Sequence, residues 1–257
     1  MGLMSLYLFT LLGGLAAGLY ILETCFTRTR EGERPWLIPL VVVVVFAVAL
    51  VASATHLQSF SNAAAALSAG TINFGAGMVW EVAAAALFFI LALIDMIIVF
   101  AKKSSLFALR VATTVVAGLC IILMGSAYIN VLGNPVWTNA IATMLTFIAG
   151  ALALGLGMYA VLADKDYSEK NLKISSLIIN AVLALGLAIQ ISAFAGAGLS
   201  VVMPAAGLIV APIASIAAVL CAAKFGNART LALIVCVATI IGIALSRYAF
   251  YASWTMM

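Results

Sequence analysis

Residues 78–101 read MVWEVAAAALFFILALIDMIIVFA, with Glu81 near the start, Asp95 deeper, and Lys102 and Lys103 directly after. A helix needs about 20 apolar residues to cross a hydrocarbon core of roughly 30 Å, and this stretch supplies them. A charge at the centre of a bilayer costs roughly 2.5 to 3.5 kcal/mol on insertion scales. Two acids held within one such span therefore point to function or to internal pairing.

Seven further stretches have the same character. With the first they give spans at Leu3 to Cys25, Trp36 to Leu57, Met78 to Ala101, Leu106 to Tyr128, Trp137 to Ala163, Leu172 to Ala195, Leu199 to Ala222 and Thr230 to Tyr251. With 67% hydrophobic residues, 8% charged residues and a mean hydropathy of +1.29, too little polar side chain remains to cover a soluble domain. No alternating ten-residue pattern of barrel strands occurs, which leaves helices. The fold expected is all-α: a polytopic membrane protein in which a bundle of eight transmembrane helices forms one integral membrane domain over residues 1–257.

The basic residues orient the bundle. Arg28, Arg30 and Arg34 fall in the first connection; Lys102 and Lys103, with the adjacent Arg110, in the third. Lys165, Lys170 and Lys173 fall in the fifth, and Lys224 and Arg229 in the seventh, which accounts for all but one of the 12 basic residues. Cytoplasmic loops retain Lys and Arg, so both termini are expected to be extracytoplasmic in a prokaryotic cytoplasmic membrane. The first span has no basic start and is followed by an Arg-rich flank, unlike a cleaved signal peptide. The net charge of +4 follows from this bias and requires no nucleic-acid partner; the surroundings implied are membrane lipid.

Arg247 is the exception, lying within the outer part of the last span. The only histidine, His56, ends the second span, and Glu81 begins the third. At about 1.5 Å per residue, Arg247 lies roughly 27 Å from Arg229, His56 roughly 33 Å from Arg34 and Glu81 roughly 32 Å from Lys102. All three reach a similar depth near the outer boundary. The uncharged connection from Gln58 to Gly77 is longer than the other outer links and has the look of a lid, with a short interfacial helix over Ser61 to Ala69. Gly14 and Gly18 in span one, and Gly150, Ala151, Ala153, Gly155 and Gly157 in span five, suit close helix packing. Pro204 and Pro212 are expected to kink span seven. Asp95 suits a proton path to the inner side or, more often for such a residue, pairing with a snorkelling lysine, and Glu23, Asn180 and Gln190 suit interhelical hydrogen bonds.

Cofactor chemistry is bounded by what is missing. A haem held by two histidines cannot form with one histidine, and Cys25, Cys120, Cys221 and Cys236 are scattered without a Cys-x-x-Cys pair, so iron–sulfur ligation lacks its ligands. They read as buried free thiols. No metal site is expected.

Thr55-His56-Leu57, followed by Phe60, Asn62 and Trp80-Glu81, resembles the membrane anchor subunit of dimethyl sulfoxide reductase-type molybdoenzymes. Asn134-Pro135-Val136-Trp137 resembles that family's Pro-x-Trp segment between spans four and five, and Arg247-Tyr248-Ala249-Phe250-Tyr251 its closing Arg-x-x-Phe-Tyr pattern. Ser246 stands where glycine is more usual. The resemblance implies a haem-free anchor that binds menaquinol and menaquinone exchangeably and oxidises the quinol near the outer surface in anaerobic respiration. Electrons would pass to an iron–sulfur electron-transfer subunit and on to a molybdopterin catalytic subunit, both docked outside, with no haem, iron–sulfur cluster or molybdopterin in this chain. Oxidising a quinol releases two electrons and two protons, so the site needs acceptors at the ring oxygens. His56 and Glu81 are the expected quinol-binding proton acceptors. Arg247 either steadies negative charge on the quinol or forms an ion pair with Glu81, and Tyr128, Tyr248 and Tyr251 are candidate pocket residues. Two other classes remain: a proton-coupled secondary transporter using the same ionisable residues, and a passive anchor without a quinol site.

Overall fold

The structure, a computed structural model, describes residues 2–27, 34–55, 68–70, 77–131 and 133–255. His56, Phe60, Asn62 and most of the Gln58–Gly77 connection lie outside the described residues. Of that connection, Ser68 is helical and Gly70 turns the chain at φ 64°, a left-handed conformation that glycine adopts without a Cβ penalty.

Among the described residues, eight apolar helices are long enough to cross a membrane. They are α1 (Gly2–Phe26), α2 (Leu37–Ala54), α3 (Gly77–Lys102), α4 (Phe107–Ile129), α5 (Ala140–Leu162), α6 (Lys170–Gly196), α7 (Val202–Leu220) and α8 (Ala228–Ala252). No strand occurs among the described residues. The protein is a multi-pass helical membrane protein. Its outer surface is apolar at helical spacing, as with Val44, Val48 and Val51 on α2 and Ile90, Ile94 and Ile97 on α3. That is the pattern of a bundle solvated by lipid.

Local chemistry explains where helices depart from the expected spans. Span five starts at Ala140 and not at Trp137, because Asn139 caps it by accepting from the Ala142 N–H at 3.1 Å. Asn227 caps α8 in the same way, accepting from Arg229 N and Thr230 N at 2.9 and 3.2 Å. Of the two prolines in span seven, only Pro212 perturbs the helix. It sits in a π-helical turn, Ile209–Ile213, since proline has no N–H to give to the ladder. Pro204 lies in the first turn of α7, where an N–H would have no intrahelical partner anyway.

The helices form two rings of four. In the first, α1 packs on α2, α2 on α3, α3 on α4 and α4 on α1; in the second, α5, α6, α7 and α8 close the same circuit. The rings meet through α1 on α5, α1 on α8 and α4 on α5. A smaller contact joins α2 to α5. The inner helices are buried over 72% (α1) and 67% (α5) of their most apolar window, against 28% for α2 and α3.

The contact of α1 with α5 is made by backbone. A Cβ on Gly18 would lie 1.9 Å from the Ala151 carbonyl oxygen, and one on Gly155 would lie 2.1 Å from the Gly18 carbonyl carbon. Gly14 and Gly18 face Ala151 and Gly155, a small-xxx-small pair on each helix. On the other side of the bundle axis, Gly207 and Gly242 bring α7 against α8, where a Cβ on Gly242 would meet Ala211 N at 2.4 Å.

Packing sets the surroundings of three buried polar residues. Arg110, in the first turn of α4, is fully buried, 3.9 Å from the Glu23 carboxylate, and donates to the Glu23 carbonyl at 3.3 Å. Asp95 accepts a 2.7 Å hydrogen bond from the Tyr20 hydroxyl of α1. Asn180 donates to Ser176 O at 2.9 Å within its own helix. Cys120 and Cys236 are buried, whereas Cys25 and Cys221 are exposed. Between α5 and α6, Tyr167 is fully buried, which pushes its phenol above the ordinary range.

Gly155→Leu is expected to abolish the folded protein, because no rotamer relieves a clash between side chain and backbone. Gly118→Ala, with open space at its Cβ, is expected to leave the melting temperature in detergent unchanged or slightly raised. Comparing the two by monodispersity and thermal unfolding checks the assignment of the crossing; equal tolerance would refute it.

Candidate functional site

Where the two rings meet at the end of the bundle that carries the termini, four helices converge on a pair of phenols. Tyr128 is in the last turn of α4 and Tyr251 in the last turn of α8, and their hydroxyls are 2.9 Å apart. Tyr251 also hydrogen-bonds Thr10 Oγ1 of α1 at 3.1 Å, and Thr10 donates to the Tyr7 carbonyl at 3.3 Å. One phenol carries one proton. Tyr251 therefore donates to one of the Thr10 and Tyr128 oxygens and accepts from the other.

Glu81 enters this group from the first turns of α3. It is only 5% exposed, its Oε1 has no hydrogen-bond partner, and it lies within electrostatic reach of Tyr128, Tyr251 and Cys120. Burying a carboxyl with an unused oxygen is costly unless something else meets it. Arg247 approaches the same phenols from α8 and is 4% exposed. Its guanidinium lies 3.8 Å above the Phe147 ring, a cation–π contact that suits a cation removed from water. Its Nη1 is unpartnered, as is Gln190 Oε1, and both residues line a void of about 10 Å³, the size of one water molecule.

Glu81 and Arg247 are not within salt-bridge distance of one another. Both act on the phenol pair, so the arrangement holds an acid, a hydrogen-bonded hydroxyl chain and a cation together without mutual neutralisation. Of the other expected residues, Tyr248 is 42% exposed and packs edge-on against Tyr7 at 6.1 Å, apart from the buried pair. His56 lies outside the described residues. Its neighbour Thr55 caps the end of α2 and hydrogen-bonds Ser5 of α1 at 3.0 Å.

The link between α4 and α5 braces the phenols. Asn134 Oδ1 accepts from Val136 N at 3.0 Å and Trp137 N at 3.2 Å, and its Nδ2 donates to Ser253 Oγ at 3.0 Å. Trp137 donates to the Phe250 carbonyl at 2.6 Å and is stacked between Phe250 and Trp254. Its edge-on contacts with Tyr128 at 5.1 Å and Tyr251 at 6.0 Å complete the cage. Sequence reasoning missed Thr10, Tyr7, Cys120 and Phe147 as site residues. A lone threonine or cysteine in a span carries no signal of its own, since such residues commonly bond to their own helix or simply pack.

No family model matches the chain, and no curated protein matches it. The site is therefore read from its own chemistry.

Tyr251→Phe removes the hydroxyl that joins α1, α4 and α8, and a modest loss of thermal stability is expected. A double-mutant cycle with Tyr128→Phe should give a coupling of about 0.6 kcal/mol, the usual size for polar pairs between membrane helices. Additive effects of the two substitutions would show that the phenols do not interact.

Proposed function

We propose that this chain is the membrane anchor subunit of a molybdoenzyme reductase complex of the dimethyl sulfoxide reductase type. In this reading both termini are extracytoplasmic, the membrane is a prokaryotic cytoplasmic membrane, and menaquinol is oxidised at the end of the bundle that carries Glu81. The observation that carries it is the buried Glu81 carboxyl with a free Oε1 beside the Tyr128–Tyr251 pair. The residue resemblance around His56, Trp80-Glu81, Asn134 to Trp137 and Arg247 to Tyr251 supplies the class of complex.

The chemistry asks for little more than these groups. Quinol oxidation sends two electrons to an iron–sulfur subunit docked on the outer face and two protons to water on the same side. Glu81 accepts a proton from one ring hydroxyl, with His56 the acceptor for the other. Arg247, held by Phe147, favours the ring oxygen that has lost its proton. A partner cluster close to this surface removes the need for a transmembrane electron relay, in keeping with a chain whose single histidine cannot supply bis-histidine haem ligation.

A proton-coupled transporter is the second reading, and the buried acid, cation and hydroxyl groups gathered where the two rings meet favour it. The two are separated by one experiment. With the intact complex, Glu81→Gln and His56→Ala are expected to slow cluster reduction by a menaquinol analogue at least 10²-fold, while artificial dyes still drive the catalytic subunit. Normal reduction in both variants would defeat the site assignment. Failure of any cluster-bearing protein to copurify would defeat the anchor reading itself and leave the transporter.

A further inference from the structure

At the opposite end of the bundle, on the side of the basic loops, lies a cavity of about 700 Å³. Its walls come from the last turn of α1, the residues leading into α2, the end of α5 and the first turn of α8. Three of the chain's cations line it, Arg34, Lys165 and Arg229. Among the described residues, the acids on its wall do not balance them. Glu23 is engaged by the buried Arg110 at 3.9 Å, which leaves Asp164 against the three. Lys165 is also 3.9 Å from the exposed Glu169 at the rim, and among the described residues no salt bridge involves Arg34 or Arg229.

The inner wall is polar and fixed. Thr27 Oγ1 and the Tyr159 hydroxyl are 2.9 Å apart, and the Tyr159 ring is stacked on Phe26 at 5.5 Å. The outer edge is apolar, with half-buried Leu37 and Ile38. Cations, hydroxyls and an apolar edge at the depth of helix ends match the chemistry of the membrane interface, where basic pockets between helices take anionic head groups.

We propose that this cavity is a binding site for a phosphate-bearing anion, held by Arg34 and Arg229. Guanidinium presents paired donors that fit phosphate oxygens, and two of the three cations are arginines. The volume exceeds what one inorganic phosphate fills, which favours the head group of an anionic phospholipid, its acyl chains leaving along Leu37 and Ile38. The site is independent of the quinol chemistry at the other end.

The test uses the full-length chain, delipidated in a neutral detergent, with thermal unfolding measured on adding phosphatidylglycerol, phosphatidylcholine or inorganic phosphate. Phosphatidylglycerol is expected to raise the melting temperature by about 5 °C or more, with no rise from phosphatidylcholine. The rise should vanish in Arg34→Gln/Arg229→Gln and persist in Lys102→Gln/Lys170→Gln, which removes two cations from the same side outside the cavity. A rise with inorganic phosphate that depends on the same arginines identifies a free phosphate compound as the ligand and keeps the site. Each variant is compared with its own ligand-free melting temperature, so a folding defect registers separately; if the double variant does not fold, Arg229→Gln alone should show a reduced rise. The site is refuted if no probe shifts the unfolding, if the arginine variants respond like the native chain, or if the lysine control loses the response equally.

Discussion

The rest of the molecule depends on the approach of α1 to α5 at Gly18 and Gly155. Apolar side chains gain nothing by leaving lipid for one another, so helices in a bilayer associate through close packing and polar contacts. Small residues at this crossing let the two inner helices meet backbone to backbone. Each inner helix carries a ring of four, so their crossing sets the relative height of the rings. That height brings the last turns of α4 and α8 level with each other, which is what allows Tyr128 and Tyr251 to share a hydrogen bond. The Gly207 and Gly242 contact does the same for α7 and α8, and so sets the rotation at which α8 presents Arg247 to Phe147.

Keeping Glu81 and Arg247 apart has an energetic meaning. A buried ion pair would neutralise both and leave little for a ligand, whereas an unpaired charge in a bilayer is expensive. Here the cation rests on an aromatic face and the acid beside two phenols, so each is partly compensated by a group that cannot cancel it. The Trp137 stack and the Asn134 turn hold those phenols from outside the helices. A site of this kind is rigid before any ligand arrives, which lowers the cost of ordering it on binding.

Fold class was legible in the sequence because a bilayer leaves few choices: length, hydropathy and the absence of strand periodicity lead to eight helices. Small residues at Gly14, Gly18, Ala151 and Gly155 signalled close packing, though not that they face each other, since pairing between helices distant in sequence has no local signature. Glu81, Tyr128, Tyr251 and Arg247 were legible as candidates because ionisable groups and aromatics stand out in apolar spans. Their grouping was not, because depth along a helix can be counted from the sequence whereas rotation about its axis cannot. The same gap explains Arg110, which counts as a loop neighbour along the chain but turns inward onto Glu23, and Asp95, whose partner Tyr20 comes from another helix. Thr10 was invisible for a different reason: its role exists only because Tyr251 is beside it.

The polar groups along α1 fall into two sets. Thr10 belongs to the Glu81 end, and Tyr20 and Glu23 to the basic end; the ten residues from Thr10 to Tyr20 span about 15 Å. Between them α1 presents Gly13, Gly14 and Gly18 to neighbouring helices, and a Cβ on Gly13 would already lie 2.8 Å from the end of Met124. Phe46 and Phe88 are fully buried near the same level, in edge-on contact at 4.7 Å, and Phe88 packs against Tyr20 at 6.0 Å. This aromatic layer adjoins the close crossing of α1 and α5. The Gly18 and Gly155 crossing thus lies between the two polar sets of α1, and the same helix carries Thr10 to the Tyr251 hydroxyl at its end.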